Sequence, residues 1–140
     1  MTTLRITAGP YIFTAHMEEA DAPATCAAFR KLLPYRQKLI HARWSGEACW
    51  IPLGALDLEL GPESATSTPA PGQVLLYPGG VSETEILIAY GPARFASVHG
   101  VLAGNPVLSI ENGLDRLAAL GREVLWGGAR EVLFETAPEG

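Results

Sequence analysis

The sequence predicts a mainly β domain: a closed barrel or a sandwich of short strands with helices packed on it. Three observations carry this. Gly and Pro supply 26 of the 140 residues and fall between short apolar runs, the punctuation of strands joined by turns. Several of those runs are β-rich or alternate in polarity. Only two segments carry a helical stripe. A closed barrel with a helix over each open end reconciles all three, because closure removes both sheet edges and the helices cover the apolar ends.

Leu4–Ala8 and Tyr11–Met17, split by Gly9-Pro10, read as a first hairpin. A helix follows over Ala22–Leu33. Pro23 suits its first turn, where a missing N–H costs nothing. Ala22, Cys26, Phe29 and Leu33 form one apolar stripe, and Pro34 stops it. Leu39–Trp44 and Ala48–Ile51 read as strands. Leu56-Asp57-Leu58-Glu59-Leu60 alternates as a half-buried strand should. Gly61–Pro71, rich in Ser, Thr, Pro and Ala, reads as a mobile surface loop. Gln73–Tyr77 and Glu85–Tyr90 are the next strands, with weaker ones at Arg94–Val98 and Val101-Leu102. The second helix is expected over Asn112–Leu120, with Asn112 as its cap, Asp115 in its first turn and Gly121 at its end. Val124–Trp126 and Glu131–Phe134 close the chain as strands.

A chain of this length is one domain, residues 1–140, large enough to bury a core without staples. The net charge of −5 and the lack of any basic run longer than Arg30-Lys31 argue against nucleic acid. No apolar stretch approaches a membrane span, and the N-terminus lacks the pattern of a signal peptide. A cytoplasmic protein is expected, with Cys26 and Cys49 as free thiols, although a disulfide between them stays open. No His, Cys, Asp or Glu cluster has metal-ligand spacing, and no phosphate loop or dinucleotide fingerprint occurs, so no metal or cofactor is expected.

Ala22-Pro23-Ala24-Thr25-Cys26-Ala27-Ala28-Phe29-Arg30 resembles the first helix of cyclophilins, with its small residue, Pro, Thr, Ala and Phe at matching places. Leu39–Trp50 falls where cyclophilins carry a Phe-His-Arg strand. Gly80–Ile88 is similar to the later segment that ends in Gln and paired Phe, and Val98–Val101 begins a matching C-terminal order of elements. Arg43-Trp44-Ser45-Gly46-Glu47-Ala48 and Tyr77-Pro78-Gly79-Gly80 resemble more closely a group of small bacterial and archaeal proteins with a cyclophilin-like fold. The resemblance covers most of the chain by order of elements, and only the first-helix motif is locally specific. It implies an eight-stranded barrel capped by two helices more strongly than it implies a function. Two departures point away from prolyl isomerase activity. Glu85 stands where the Gln would be, and Ile86-Leu87 replace the paired Phe.

The candidate site centres on Ile40–Trp50, which holds His41, Arg43, Glu47 and two of the three Trp. On a continuous strand His41 and Arg43 point one way and Ala42 and Trp44 the other. Glu83, Glu85 and Leu87 likewise share a side. Arg43 is expected to meet Glu85 or Glu83, as a surface ion pair or as a site in which Arg43 anchors a carboxylate or carbonyl and Glu85 or Glu47 moves a proton. His41, Trp44, Tyr77 and Glu83 are the candidate substrate-binding residues. Trp44 and Trp50 are also expected in the core, where aromatic residues are most often found. His99 is read as bordering the barrel and His16 as exposed near a strand end. The function expected is binding or transformation of a small polar molecule by acid–base chemistry. Fold-level analogy with oxoprolinase- and allophanate-processing systems suggests a cyclic amide or ureido compound. The alternatives are a noncatalytic binding or homo-oligomeric assembly module and, third, a prolyl isomerase.

Overall fold

The computed structural model describes residues 2–138. Its first element is the expected hairpin. Strands β1 (Thr3–Ala8) and β2 (Tyr11–Met17) pair antiparallel, with Ile6 opposite Phe13. Along both strands alternate residues are buried, so Leu4, Ile6, Phe13 and Ala15 face one core.

Helix α1 (Pro23–Arg30) is shorter than its stripe suggested. Ala22 is the residue before its first turn, and Cys26 and Phe29 are buried in the core. The chain leaves the helix through a tight turn, with Leu32 N and Leu33 N bonding carbonyls three residues back. Strand β3 (Tyr35–His41) follows, then a single 3-10 turn at Arg43–Ser45, then β4 (Gly46–Gly54). The expected strand over Leu39–Trp44 therefore ends at His41.

Leu56–Leu60 forms no strand. Its alternation is real in burial, with Leu58 and Leu60 packed on the core and Asp57 and Glu59 outside, but no neighbouring strand is there to pair with it. The loop after it is held to α1. Glu63 accepts hydrogen bonds from Thr25 N (2.7 Å), Thr25 Oγ1 (2.6 Å) and Ala24 N (3.1 Å), filling the place of a helix cap. Buried Asn105 donates to Thr25 Oγ1 and to the Gly61 carbonyl, and accepts from Glu63 N. A reading of 61–71 as a loose loop misses these ties.

Strands β5 (Gln73–Tyr77) and β6 (Thr84–Ala93) pair as expected, and β7 (Ala96–Ser97) and β8 (Gly100–Val101) form a small separate hairpin. His99 sits exposed at that hairpin's tip and does not border the barrel. Strand β9 (Asn105–Asn112) is not expected from the sequence, and Asn112 ends it instead of capping a helix. Gly113, at φ +100°, turns the chain into α2 (Leu114–Gly127), and β10 (Arg130–Thr136) ends the fold. The expected strand at Val124–Trp126 is thus the last turn of α2, and Gly121 lies inside the helix.

Eight strands close into a barrel in the order β1-β10-β3-β4-β6-β5-β9-β2, all neighbours antiparallel. Contacts along β2 show how the helices cap it. Tyr11, at one end, donates to Glu123 of α2 (2.9 Å), and Met17, at the other, lies against Arg30 of α1. Cys26 and Phe29 of α1 and Leu117, Leu120 and Val124 of α2 join the barrel's interior core. No helix among the described residues is long and apolar enough to cross a membrane.

Candidate functional site

Strands β4, β5 and β6 are buried on both faces, unlike β1 and β2. Val74, Leu76, Ile86 and Ile88 face the barrel interior, while Leu75, Tyr77 and Leu87 face outward into a second apolar cluster. The cover for that outer face is the excursion after β6, which folds back and lays Phe95 and Leu102 over it. The 3-10 turn at Arg43–Ser45 fastens the excursion. Arg94 N donates to the Ser45 carbonyl (2.8 Å), Ala96 N to Ser45 Oγ (3.1 Å), and Trp44 Nε1 to the Ala96 carbonyl (3.0 Å).

Between this excursion and the loop before β6 lies a groove of about 520 Å³. Trp44, Trp50, Glu83, Glu85, Ser97 and Val98 line it. Trp44 and Trp50 meet edge to face, with ring centroids 5.3 Å apart. Trp44 is 54% exposed and Trp50 is half-buried, so neither belongs to the core proper. The enclosed Trp50 Nε1 has no hydrogen-bond partner.

Glu85 is the unusual group here. It is only 3% exposed, and among the described residues no side-chain hydrogen bond or ion pair satisfies it. Burial, and then the charge of Glu83, push its carboxyl up to about 7. A group in that range both holds and releases a proton near neutrality. Glu83 is exposed on the same side and accepts from Gly54 N (3.1 Å).

Tyr77 lies beneath the site and not in it. Its ring packs edge to face on Phe95, and its hydroxyl accepts from Val81 N (2.9 Å) and Ser82 N (3.4 Å), holding the loop that forms one rim. The expected meeting of Arg43 with Glu85 or Glu83 does not form. Strand β3 stops at His41, whose side chain follows Tyr35 and Leu39 to the barrel side, and β4 stands between β3 and β6. Glu85 faces outward. His41, Arg43 and Glu47 gather instead at a different hollow, by α2. The candidate residues therefore divide: Trp44, Glu83 and Glu85 at the outer groove, His41, Arg43 and Glu47 at the barrel mouth. Val98 is not marked as a site residue by the sequence, and Trp50, expected in the core, lines the groove. The Arg94–Val98 run between Pro92 and Gly100 was the signal for a covering segment.

A family model described as "Protein of unknown function (DUF3830)" matches residues 4–136. The chain belongs to the DUF3830 family. No curated protein matches it. Solved structures similar to this DUF3830 chain carry the cyclophilin-like barrel. It aligns with McbB, solved in complex with tryptophan, at 21% identity and a TM-score of 0.76. The match covers 98% of this chain and 45% of McbB, so the chain spans under half of that protein. The hypothetical protein AF2241 from Archaeoglobus fulgidus aligns at 18% identity and a TM-score of 0.66, covering 97% of this chain and 95% of that one. A Cryptosporidium parvum cyclophilin-type peptidyl-prolyl cis-trans isomerase aligns at 11% identity and a TM-score of 0.60, covering 98% and 99%. At these identities the likeness concerns the fold, and it bears out the cyclophilin-like barrel with two helices.

Proposed function

We propose that the outer groove binds a small polar molecule with a flat or apolar part, and that Glu85 is its acid–base group. The observation that carries this reading is Glu85, 3% exposed, without a side-chain hydrogen bond among the described residues and with its carboxyl raised to about 7, at the wall of an open groove. A nearly buried carboxyl without a side-chain partner, opening onto a groove wall, is placed to meet a ligand there. Trp44 and Trp50 offer ring edges and faces to a planar group. Cyclic amides and ureido compounds suit such a site: the ring lies on the indoles, and Glu85 exchanges a proton with the amide. The tryptophan bound by McbB is a second flat, polar ligand class worth testing on this fold.

Hydantoin, 5-oxoproline and tryptophan serve as probes, read through the indole N–H resonances of Trp44 and Trp50. The expected result is saturable perturbation of both resonances by at least one probe. For any probe that is turned over, Glu85→Gln should slow turnover by about 10²–10⁴-fold with the fold intact. Perturbation and turnover that pass unchanged into Glu85→Gln would remove Glu85 from the chemistry.

A binding or assembly module without turnover is the second reading. It is favoured by Val98, 93% exposed at the groove rim, and by Trp126, 83% exposed on α2. A concentration-dependent mass by light scattering, lost in Val98→Ser or Trp126→Ser, would support it.

A further inference from the structure

The inward row of the barrel continues one layer past Leu39, Cys49 and Ile88, to His41, Glu47 and Tyr90 at the mouth beside α2. Arg122, Leu125 and Trp126 of α2 face them across a hollow of about 450 Å³, and Arg43 stands at its edge. This hollow is separate from the outer groove and shares no lining residue with it.

Two glycines make room for its polar groups. A Cβ on Gly121 would strike the Tyr90 ring, and a Cβ on Gly91 would strike the Glu47 carboxylate. A glycine inside a helix costs about 1 kcal/mol against alanine, so Gly121 trades helix stability for the close seat of Tyr90. The Tyr90 hydroxyl lies 2.6 Å from His41 Nε2, and the rings meet at 66°. Burial, and then the charge of Arg43, lower the His41 imidazole's pKa, so it is the neutral ring that pairs with Tyr90.

The charges at this mouth do not cancel. Arg43 and Arg122 form no ion pair among the described residues, and Glu47 is the one carboxylate in the lining. Burial first, and then Cys49 and Glu47, raise the Tyr90 hydroxyl's pKa, with Arg43 and Arg122 acting against the rise. Two guanidiniums against one carboxylate leave a single positive charge, which matches a monoanion better than a phosphate dianion. Guanidinium groups also present their donors in the planar fork that a carboxylate accepts. Beside them, Trp126 exposes its indole and Leu125 and Pro92 add apolar wall.

We propose that the barrel mouth is a second binding site, for a small flat monocarboxylate whose carboxylate lies between Arg43 and Arg122 and whose apolar part rests on Trp126. Tyr90, seated by Gly121 and held by His41, forms the floor of this site.

Benzoate, phenyl phosphate and benzyl alcohol are the probes, titrated at millimolar concentration into the full chain and followed by amide and arginine side-chain NMR. Benzoate is expected to shift resonances of 41–47, 90–92 and 122–126 saturably. Arg122→Gln should weaken it about tenfold, the loss of one charge-assisted contact. Arg43→Gln should do the same, and Glu85→Gln should leave benzoate binding unchanged, which separates this site from the outer groove. Three results overturn the proposal: no saturable shift with benzoate, benzyl alcohol binding as well as benzoate, or phenyl phosphate binding more tightly than benzoate.

Discussion

At the scale of single residues, Glu85 shows how position on a pleated strand decides chemistry. Its neighbour Ile86 faces the barrel interior and Thr84 donates to the Leu56 carbonyl, while Glu85 faces a covered outer surface and loses water. Its carboxyl rises from the ordinary 4.5 to about 7. The folded chain therefore holds that proton more tightly than the unfolded chain does. The stability this contributes is complete below the unfolded value and is lost as pH rises through about 7. Glu85→Gln has no such titration. Between mildly acidic and mildly alkaline pH, the natural protein should lose on the order of 1–3 kcal/mol relative to Glu85→Gln. Urea unfolding of both proteins across that range checks it, and parallel stability curves would contradict it. The sequence already marked Glu85 as a candidate. Its partner was misread because the side of Arg43 depends on where β3 ends, and the chain enters a 3-10 turn two residues after His41.

Elements were read well where local pattern and tertiary packing agree. The first hairpin, α1 and the β5 and β6 cores follow from turns and apolar spacing. Reading failed where a residue with a strong local meaning serves a distant contact. Gly121 has the look of a helix end, yet α2 runs on to Gly127 because the missing Cβ admits Tyr90 from β6. Gly121→Ala should therefore destabilise the protein by about 1–3 kcal/mol through overpacking, although alanine is the better helix former. A thermal melt that is unchanged or raised would count against that packing. Leu56–Leu60 fails in the opposite way. Its alternating leucines do reach the core, but as an unpaired connection laid over it.

For the whole molecule, closure of the barrel puts both cysteines out of reach. Cys26, with its thiol against the Val107 carbonyl (3.6 Å), and Cys49, in the interior, are free, and burial pushes their thiols up to about 11 and about 12. Neither should react with a water-soluble disulfide reagent in the native state, and labelling should follow global unfolding in urea. Rapid labelling of either thiol in native buffer would mean that a helix cap opens on its own. Ile86 and Leu87 stand where the resemblance to cyclophilins implies paired Phe; Ile86 points into the barrel and Leu87 packs in the outer cluster with Phe95. A proline-peptide isomerisation assay should show no acceleration, and a measurable one would reopen the prolyl isomerase reading.

By itself the sequence determined the barrel class, the first helix, the central strands and the stretches in which the polar residues of both hollows lie. These follow from period, turn chemistry and composition, which act over a few residues. Only the tertiary structure decided which of those residues share a hollow. Strand order, the end of β3 and the covering excursion are long-range choices, set by which faces must be buried together. They sent Glu85 to a groove walled by Trp44 and Trp50, and His41, Arg43 and Glu47 to the mouth beneath α2.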